Sequence, residues 1–366
     1  MKALIIYNQD SLSSNSNIYL EQGTLRLNNT DINYALIETE SPAFHPNKYP
    51  DSVLIKKKAF SCNYRDMGIM LHENRQLNFN YNNVAIGSEF SAEVIAIGNN
   101  VKQLKIGDRV IPNGEYPIRA PNQQLGGLPT NKGSMEIEII HKRKLLKIPD
   151  SISDEIGAAF TIGAQTAYSM LNKLKIRPGK KVLLTGITSN TSLFVLNALI
   201  NAEVKIYATA RHLDLVKHTD LEKYAKIFIV TDNVQNFMDV EDIHEHVSIY
   251  GKFDYVIDPF SDSNLFRLID IIGMNGKYIT CGTSNQFSAE MRTINSSNFF
   301  AKIILNNISI IGNCLGNTQS LKKAIQDYEL KKYKIIINKV IKDDISAFMN
   351  ETFISKKEIG KVVYKY

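Results

Sequence analysis

The spacing of apolar residues changes along the chain. Up to about residue 150, the apolar runs are short and end at turns such as those at Gly98 and Gly107, which predicts a compact antiparallel β unit. From about residue 180, strand-length apolar runs alternate with helix-length segments. That alternation is what a doubly wound parallel sheet requires. The predicted fold class is therefore α/β, with a doubly wound parallel sheet and a separate antiparallel β domain.

One strand-turn-helix segment, residues 181–199, is the centre of this pattern. Its apolar run breaks at Gly186, passes through small polar residues and resumes with helical spacing. A second strand at residues 203–211 follows, so a short helical crossover connects the two strands. The helix N-terminus in such a unit presents unpaired N–H groups to an anion, usually a dinucleotide pyrophosphate. The candidate cofactor-binding residues of the turn are Ser189, Asn190, Thr191 and Ser192.

The turn departs from the glycine fingerprint G-x-G-x-x-G of dinucleotide-binding proteins. The three glycine positions fall at Ile187, Ser189 and Ser192, so the motif by itself is a weak signal. The side chains from Ser189 to Ser192 are nevertheless small or polar, and they offer hydroxyl or amide donors to a phosphate. The alternative is an ordinary strand-to-helix turn with Ser189 or Asn190 as its N-cap.

The end of the second strand indicates which nicotinamide cofactor is bound. A site that prefers NAD places an acidic residue there for the ribose 2′-hydroxyl, but residues 208–212 contain no carboxylate. Arg211 can bind a 2′-phosphate through two charge-assisted hydrogen bonds, and Thr209 can add a hydroxyl. NADPH is therefore the predicted cofactor. The alternative is that Arg211 is a solvent-facing residue at the start of a helix.

Composition narrows the class of protein. The 366 residues, 44% of them hydrophobic, suggest two domains with a substantial core. The net charge is +6 and the Lys/Arg clusters are short and scattered, which argues against nucleic-acid binding. The three cysteines have no paired spacing, as expected in a reducing compartment. Because no apolar run is long enough to span a bilayer, we expect a soluble cytoplasmic protein without a membrane partner.

A series of short segments carries a family resemblance over nearly the full length of the chain. In chain order they are Cys62–Asp66, Gly87–Phe90, Gly107–Val110, Leu146–Asp150, Gly163–Tyr168, Pro178–Gly186, Asp254–Asp258, Gly276–Ile279 and Gly360–Val363. Each segment is short, but the ordered series is specific. It resembles the medium-chain dehydrogenase/reductase superfamily, in its zinc-independent branch of quinone-reductase-like and enoyl-reductase-like proteins.

The resemblance implies a domain organisation. It implies a GroES-like catalytic domain at residues 1–152, a Rossmann dinucleotide-binding domain at residues 153–316 and a C-terminal return to the catalytic domain at residues 317–366. The alternation of strands and helices after Arg211 agrees with the Rossmann part. Dimers built by pairing exposed edge strands are usual in the family, so a homodimer is expected.

The resemblance also locates the positions of catalytic zinc ligands. In zinc-dependent members a cysteine, a histidine and a second cysteine hold the ion, and these positions fall at Asn63, Ser88 and Ile162. None of the three is a good zinc ligand, so no metal is predicted. Cys62 is interpreted as a buried apolar cysteine. The two histidines within residues 244–246 are interpreted as a surface pair rather than as metal ligands.

The predicted nicotinamide cofactor and the predicted absence of a metal ion together indicate the type of reaction. A dihydronicotinamide adds hydride readily to an alkene conjugated with a carbonyl group, and hydrogen-bond donors alone can stabilise the enolate that results. We therefore expect reduction of an activated C=C bond. Asn63 is the predicted donor to the substrate carbonyl, and Tyr64 either donates a hydrogen bond or proton or packs against the cofactor. Arg65 and Asp66 are expected to pair with one another or with the cofactor. The further predicted cofactor contacts are Thr166, Gly282 and Thr283.

The substrate is left open between two classes. One is a small enone or quinone. The other is a dehydroalanine residue in a peptide, because residues 188–194 resemble the turn of reductases associated with lanthipeptide tailoring, and dehydroalanine is an amide-conjugated alkene. Two other functions also stay open, namely a zinc-independent alcohol or carbonyl dehydrogenase and a non-catalytic nucleotide-binding protein on the same scaffold.

Overall fold

The computed structural model describes residues 1–7, 18–77, 83–115, 127–217, 219–283, 296–330, 337–355 and 359–366. The chain divides into two compact units. The first contains Met1–Ile162 and Ile335–Tyr366, and the second contains Gly163–Lys334. The domain limits at residues 152 and 316 stay a prediction.

The secondary structure is mixed. In chain order, the described strands are β1 (Lys2–Tyr7), β2 (Ile18–Leu27), β3 (Thr30–Glu38), β4 (Ser52–Ser61), β5 (Asn83–Ala85), β6 (Glu89–Ile97), β7 (Arg109–Pro112), β8 (Ile137–His141), β9 (Leu145–Lys147), β10 (Lys181–Leu184), β11 (Lys205–Ala210), β12 (Lys226–Ile229), β13 (Phe253–Asp258), β14 (Ile272–Thr280), β15 (Ser309–Gly312), β16 (Ile337–Lys342) and β17 (Lys361–Lys365). The described helices are α1 (Tyr64–Leu77), α2 (Asp154–Gly157), α3 (Thr161–Leu174), α4 (Asn190–Ile200), α5 (Asp214–Lys217), α6 (Glu241–Tyr250), α7 (Ser261–Leu268), α8 (Ser296–Leu305), α9 (Thr318–Glu329) and α10 (Ile345–Phe353). None of these described helices is both long and apolar enough to cross a membrane.

Two sheets form the first unit. The smaller has the strand order β2-β3-β1-β5, and all of its pairs are antiparallel. The larger has the order β16-β17-β4-β6-β7-β9, with β8 also paired to β4. Its last strand, β17, lies antiparallel to β4, with Tyr364 opposite Phe60. This pairing places the C-terminal segment in the first unit. The predicted antiparallel β domain is confirmed, and one pair of the larger sheet, β16 with β17, runs parallel.

A six-stranded parallel sheet forms the centre of the second unit. Its strand order is β12-β11-β10-β13-β14-β15, and every neighbouring pair runs parallel. Val182, Leu183 and Leu184 of β10 are fully buried, as expected for a central strand covered on both faces. The chain reverses its direction across the sheet between β10 and β13, where ligands bind in sheets of this kind. The predicted doubly wound Rossmann sheet is confirmed.

His246 corrects the interpretation of residues 244–246 as a surface pair. It lies in α6 and is buried. Its ring centroid is 4.4 Å from that of Tyr207, and neither of its nitrogens has a hydrogen-bond partner among the described residues. Burial, reinforced by the like charges of Lys226 and Lys181, lowers the pKa of His246. The imidazole is therefore a neutral part of an aromatic core.

We expect His246 to make the protein less stable in mild acid. A histidine whose folded pKa is depressed binds protons more readily in the unfolded chain, so stability falls as the pH drops below about 6.5. The variant His246→Phe should lose less stability than the wild type between about pH 7.5 and pH 5, as measured by urea denaturation. His244→Phe, at an exposed position of the same helix, should follow the wild type. An unchanged pH dependence in His246→Phe would contradict this account.

Candidate functional site

Asn63 and Tyr64 lie where the chain leaves β4 and begins α1. The peptide N–H of Asn63 donates to Oδ2 of Asp66 at 2.6 Å, and the peptide N–H of Asp66 donates to the Asn63 carbonyl at 2.9 Å. The first of these bonds is that of a capping box, in which the third helical residue bonds back to the N-cap. This cap fixes Asn63 at the end of the strand and leaves Tyr64 exposed beside it.

The side chain of Asn63 is held by protein groups on both sides. Its Nδ2 donates to Oε2 of Glu89 at 2.8 Å and to Oγ of Ser88 at 3.2 Å. Its Oδ1 accepts a hydrogen bond from Nζ of Lys361 at 2.5 Å. Both amide hydrogens are therefore used within the chain, and donation to a substrate would require one of these bonds to exchange. The role of Asn63 as a substrate contact stays a prediction.

Two buried carboxylates flank this amide. Glu89 is fully buried and accepts hydrogen bonds from the peptide N–H of Ile162, at 2.6 Å, and from the ammonium of Lys361. Asp66 accepts from the hydroxyl of Ser88 at 2.6 Å. Burial raises the pKa of the Asp66 carboxyl, in spite of these hydrogen bonds and the nearby cations. The network thus links two buried carboxylates through neutral donors, with the half-buried Asn63 between them.

Two expectations about the neighbours of Asn63 are confirmed. Cys62 is buried, and burial together with the Asp66 carboxylate raises the pKa of its thiol well above the ordinary range. Such a thiol is inert as a metal ligand or nucleophile at neutral pH. Arg65 pairs with Asp66, with 3.7 Å between Nη1 and Oδ1.

These residues do not fit a zinc site. Asn63 and Ser88 are neutral hydrogen-bonding groups, and Ile162 contributes its peptide N–H to Glu89. An ammonium bonds to both Asn63 and Glu89, whereas a zinc site needs deprotonated nitrogen, sulfur or oxygen ligands that face the ion. Across the described part of the chain, no group of three His, Cys, Asp or Glu residues could hold a metal ion.

The turn after β10 begins a well-capped helix. Ser189 is the N-cap of α4, and its hydroxyl accepts from the peptide N–H of Ser192 at 3.2 Å. The Ser192 hydroxyl is buried and donates to the carbonyl of Thr185 at 2.8 Å. The N-cap interpretation of Ser189 is therefore confirmed, and Ser192 faces the interior of the unit. Asn190 and Thr191 carry N–H groups of the first turn, which an α-helix leaves without an intrahelical acceptor.

The bend itself is compatible with a bound phosphate. Ile187 is fully buried and its N–H donates to the carbonyl of Thr209 at 2.8 Å, so its side chain does not lie in the bend. Gly186 has a φ of +55°, and a Cβ built on it would lie 2.7 Å from the ring of Phe260. Glycine adopts this left-handed backbone conformation without the strain that a Cβ would cause. The helix N-terminus beyond it provides the dipole that favours an anion.

We expect Gly186→Ala to destabilise the second unit more than Gly179→Ala. Both glycines have positive φ, so alanine at either position costs about 1–2 kcal/mol of backbone strain. Only at Gly186 does the added Cβ also meet a side chain, whereas nothing lies within 4 Å at Gly179. That contact should cost about 1–3 kcal/mol more, measured by urea denaturation. Equal losses in the two variants would contradict close packing at the bend.

Arg211 lies just beyond β11, and its surroundings include a carboxylate. Its side chain is 61% exposed, and its Nη1 is 3.4 Å from Oδ2 of Asp232. Asp232 follows β12, the strand that pairs with β11. Residues 208–212 contain no carboxylate, but the neighbouring strand places one beside Arg211. Thr209 is buried, and its hydroxyl accepts from the peptide N–H of Gly186 at 3.2 Å. This hydrogen bond fixes the turn at Gly186 to the end of β11.

The other predicted cofactor contacts also lie in the second unit. Thr166 is buried within α3. Gly282 follows β14, and its carbonyl accepts from the hydroxyl of Ser261 at 2.9 Å. Thr283 is half-buried. The structure fixes the positions of these residues within the unit, and their contacts with a cofactor stay predictions.

Asp258, which is not among the residues predicted from the sequence, bonds to groups at the carboxyl-terminal edge of the parallel sheet. It ends β13, is fully buried and accepts hydrogen bonds from Thr185 Oγ1 at 2.5 Å and from Tyr278 Oη at 2.7 Å. It also accepts from Asn264 Nδ2 at 3.0 Å. These bonds join the carboxyl-terminal ends of β10, β13 and β14. The sequence feature that could have identified Asp258 is its position as a carboxylate at the end of a predicted strand.

Comparisons with known proteins agree with this architecture. Residues 49–150 match the model of the alcohol dehydrogenase GroES-like domain. A zinc-type alcohol dehydrogenase-like protein of Schizosaccharomyces pombe is 27% identical over 187 residues, which is 50% of this chain and 48% of that protein. A crotonyl-CoA carboxylase/reductase of Cereibacter sphaeroides is 31% identical over 131 residues, or 31% of this chain and 30% of that protein. The chain thus spans about half or less of the length of these relatives.

A solved structure extends the comparison over most of the chain. A thermostable alcohol dehydrogenase from Pyrobaculum aerophilum, bound to cobalt and zinc, superposes with a TM-score of 0.70 at 21% identity, covering 90% of this chain and 95% of its own. At that identity the likeness establishes the fold alone. The family match covers residues 49–150, and the curated relatives resemble the chain over about half and about a third of its length.

Proposed function

We propose that the protein is an NADPH-dependent reductase of carbonyl-conjugated C=C bonds that works without zinc. The observation that carries the proposal is the buried network of Asn63, Ser88, Glu89 and Lys361, which offers hydrogen bonds where a metal-dependent site would offer ligands. The relative named crotonyl-CoA carboxylase/reductase supports alkene reduction, because a crotonyl group is an alkene conjugated with a carbonyl. Arg211 supports NADPH over NADH.

The cofactor would be held by backbone and charge. The N–H groups of Asn190 and Thr191 would bind pyrophosphate oxygens at the positive end of α4. The guanidinium of Arg211 would bind the 2′-phosphate in place of its contact with Asp232. When bound, the dihydronicotinamide supplies the hydride that adds to the alkene β-carbon.

Donors of the first unit would stabilise the enolate. Tyr64 is an exposed residue at the start of α1, and its phenol would donate a hydrogen bond to the substrate oxygen or a proton to the α-carbon. The bond from Asn63 to Ser88, at 3.2 Å, is longer than its bond to Glu89, at 2.8 Å, so the hydrogen facing Ser88 is the one that exchanges to substrate. The hydrogen bonds from Tyr64 and Asn63 to the substrate oxygen would strengthen as negative charge develops on that oxygen.

The substrate classes are an enone or quinone and a dehydroalanine residue in a peptide. The second candidate function is a zinc-independent alcohol or carbonyl dehydrogenase, which the name of the Schizosaccharomyces pombe relative favours. The two functions differ in the bond that gains hydrogen. A C=C bond gains it in the first, and a carbonyl group gains it in the second.

A substrate panel distinguishes these functions. Purified protein is mixed with NADPH and an enone, a quinone or a dehydroalanine peptide, and separately with NADP⁺ and primary or secondary alcohols. We expect nicotinamide absorbance to fall with at least one alkene or quinone and not to rise with the alcohols. Turnover of alcohols alone would favour the second function. If NADPH does not quench the intrinsic tyrosine fluorescence, the protein does not bind this cofactor, and the proposed reductase function is wrong.

We propose that the second unit forms a homodimer through β15. Among the described strands, β15 lies at the edge of the parallel sheet, and an unpaired edge adds a further strand readily. Apolar side chains are exposed on this strand and on α8, the helix that precedes it in the chain: Ile310, Phe300, Ile304 and Leu305. We expect Ile304→Glu to convert a dimer into a monomer in light-scattering measurements, and Ile249→Glu, at an exposed position of α6, to leave the dimer intact. A wild-type monomer would contradict the proposal.

A further inference from the structure

The strand β17 brings a lysine into the buried network of the first unit. The Lys361 ammonium donates to Oδ1 of Asn63 at 2.5 Å and to Oε2 of Glu89. The Lys361 side chain is 4% exposed and the Glu89 side chain is 0% exposed. The second oxygen of Glu89 accepts from the peptide N–H of Ile162 at 2.6 Å. A buried ion pair persists only when its remaining polar atoms are bonded in this way.

The hydrogen bonds around this pair have one direction. Lys361 donates to Asn63, Asn63 donates to Ser88, and Ser88 donates to Asp66. The ammonium has no acceptor group, so it fixes the Asn63 amide with its oxygen toward Lys361 and its nitrogen toward Ser88. The opposite orientation of the amide would place two donors against each other. The lysine therefore sets the orientation of the predicted substrate donor.

We propose that the Lys361 ammonium is the resident cation of this site, which neutralises Glu89, orients Asn63 and excludes a divalent metal ion from the same residues. Lys361 is a positioning residue that acts through Asn63 and Glu89. The proposal uses the site of the proposed function but does not depend on its activity.

Removal of the ammonium would leave a set of oxygen atoms. Oε2 of Glu89 and Oδ1 of Asn63 would lose the same partner. Nearby, Oδ1 of Asp66 is buried, lies 3.7 Å from Nη1 of Arg65 and has no hydrogen-bond partner among the described residues. Carboxylate and amide oxygens suit hard divalent cations such as Mn²⁺. Loss of the lysine should therefore produce metal affinity that the wild type lacks.

The test is a Mn²⁺ titration of the full chain, followed by the electron paramagnetic resonance signal of the free ion. We expect Lys361→Ala to bind Mn²⁺ at least about tenfold more tightly than the wild type. Lys361→Arg, which keeps the charge, should resemble the wild type. Lys339→Ala removes an exposed ion pair with Glu351 and should also show no gain. Equal affinity of Lys361→Ala and the wild type, or an equal gain in Lys339→Ala, overturns the proposal.

If circular dichroism shows that Lys361→Ala is unfolded, a second measurement tests whether the wild-type site excludes a metal ion. The wild type is incubated with excess Zn²⁺, dialysed and analysed for metal content. Retention of about one equivalent overturns the proposal, and retention of a negligible fraction supports it. Neither measurement reads hydride transfer, so an inactive protein would fail the proposed function without changing this result.

Discussion

Glu89→Gln is expected to lower the free energy of unfolding by about 3–5 kcal/mol, the range for breaking a buried ion pair from one side. The carboxylate accepts three hydrogen bonds, from Ile162, Asn63 and Lys361, and all of its side chain is buried. A neutral amide in its place leaves the buried Lys361 ammonium without the carboxylate that bonds to it directly. Urea denaturation at neutral pH measures the difference.

Glu93→Gln is the matched control for this prediction. Glu93 lies on the same strand, β6, and its ion pair with Lys58 at 2.8 Å is exposed, with 38% and 37% of the two side chains accessible. Exposed pairs contribute about 0–1 kcal/mol, so this variant should be close to the wild type. If both variants lost the same free energy of unfolding, the buried pair of Glu89 and Lys361 would contribute no more to stability than an exposed pair, which would contradict this prediction.

Arg211→Ala is expected to weaken NADPH binding by about 10–100-fold, which corresponds to the loss of one or two charge-assisted hydrogen bonds to a phosphate. NADH lacks the 2′-phosphate, so its affinity should change little. Titration of protein fluorescence with each nucleotide measures both affinities. A parallel loss for NADPH and NADH would show that Arg211 does not read the 2′-phosphate.

Asp232→Asn provides the opposite change at the same place. Its carboxylate lies 3.4 Å from the Arg211 guanidinium and would repel a 2′-phosphate that binds there. The amide should therefore tighten NADPH binding by a few-fold, about the effect of one exposed charge, and leave NADH unchanged. Tighter binding of NADH than of NADPH in the wild type would reverse the cofactor assignment, with Asp232 as the residue that causes it.

The type of sheet in each unit could be predicted because it depends on hydrophobic periodicity. The short apolar runs with turns became the antiparallel sheets, and the alternation after residue 180 became the parallel sheet. The centre of the candidate site could not be predicted in this way. Glu89 and Lys361 are separated by 272 residues, and they meet because β17 adds to β4. No local spacing contains that information.

Two smaller differences have local causes. Asp232 reaches Arg211 through the pairing of β11 with β12, so a search restricted to one strand end could not find it. His246 lies three residues after the fully buried Ile243, and residues three apart share a helix face. That spacing is present in the sequence. The burial of His246 was therefore accessible to pattern reasoning.

Hydride transfer to carbon in the absence of metal tests the central claim most directly. Chelator-treated protein is supplied with NADPH deuterated at the transferring position and with a carbonyl-conjugated alkene, and the product is examined by nuclear magnetic resonance. We predict one deuterium on the β-carbon, with a rate unchanged when Zn²⁺ is restored. Deuterium on a carbinol carbon, or turnover that appears only with Zn²⁺, would contradict the account.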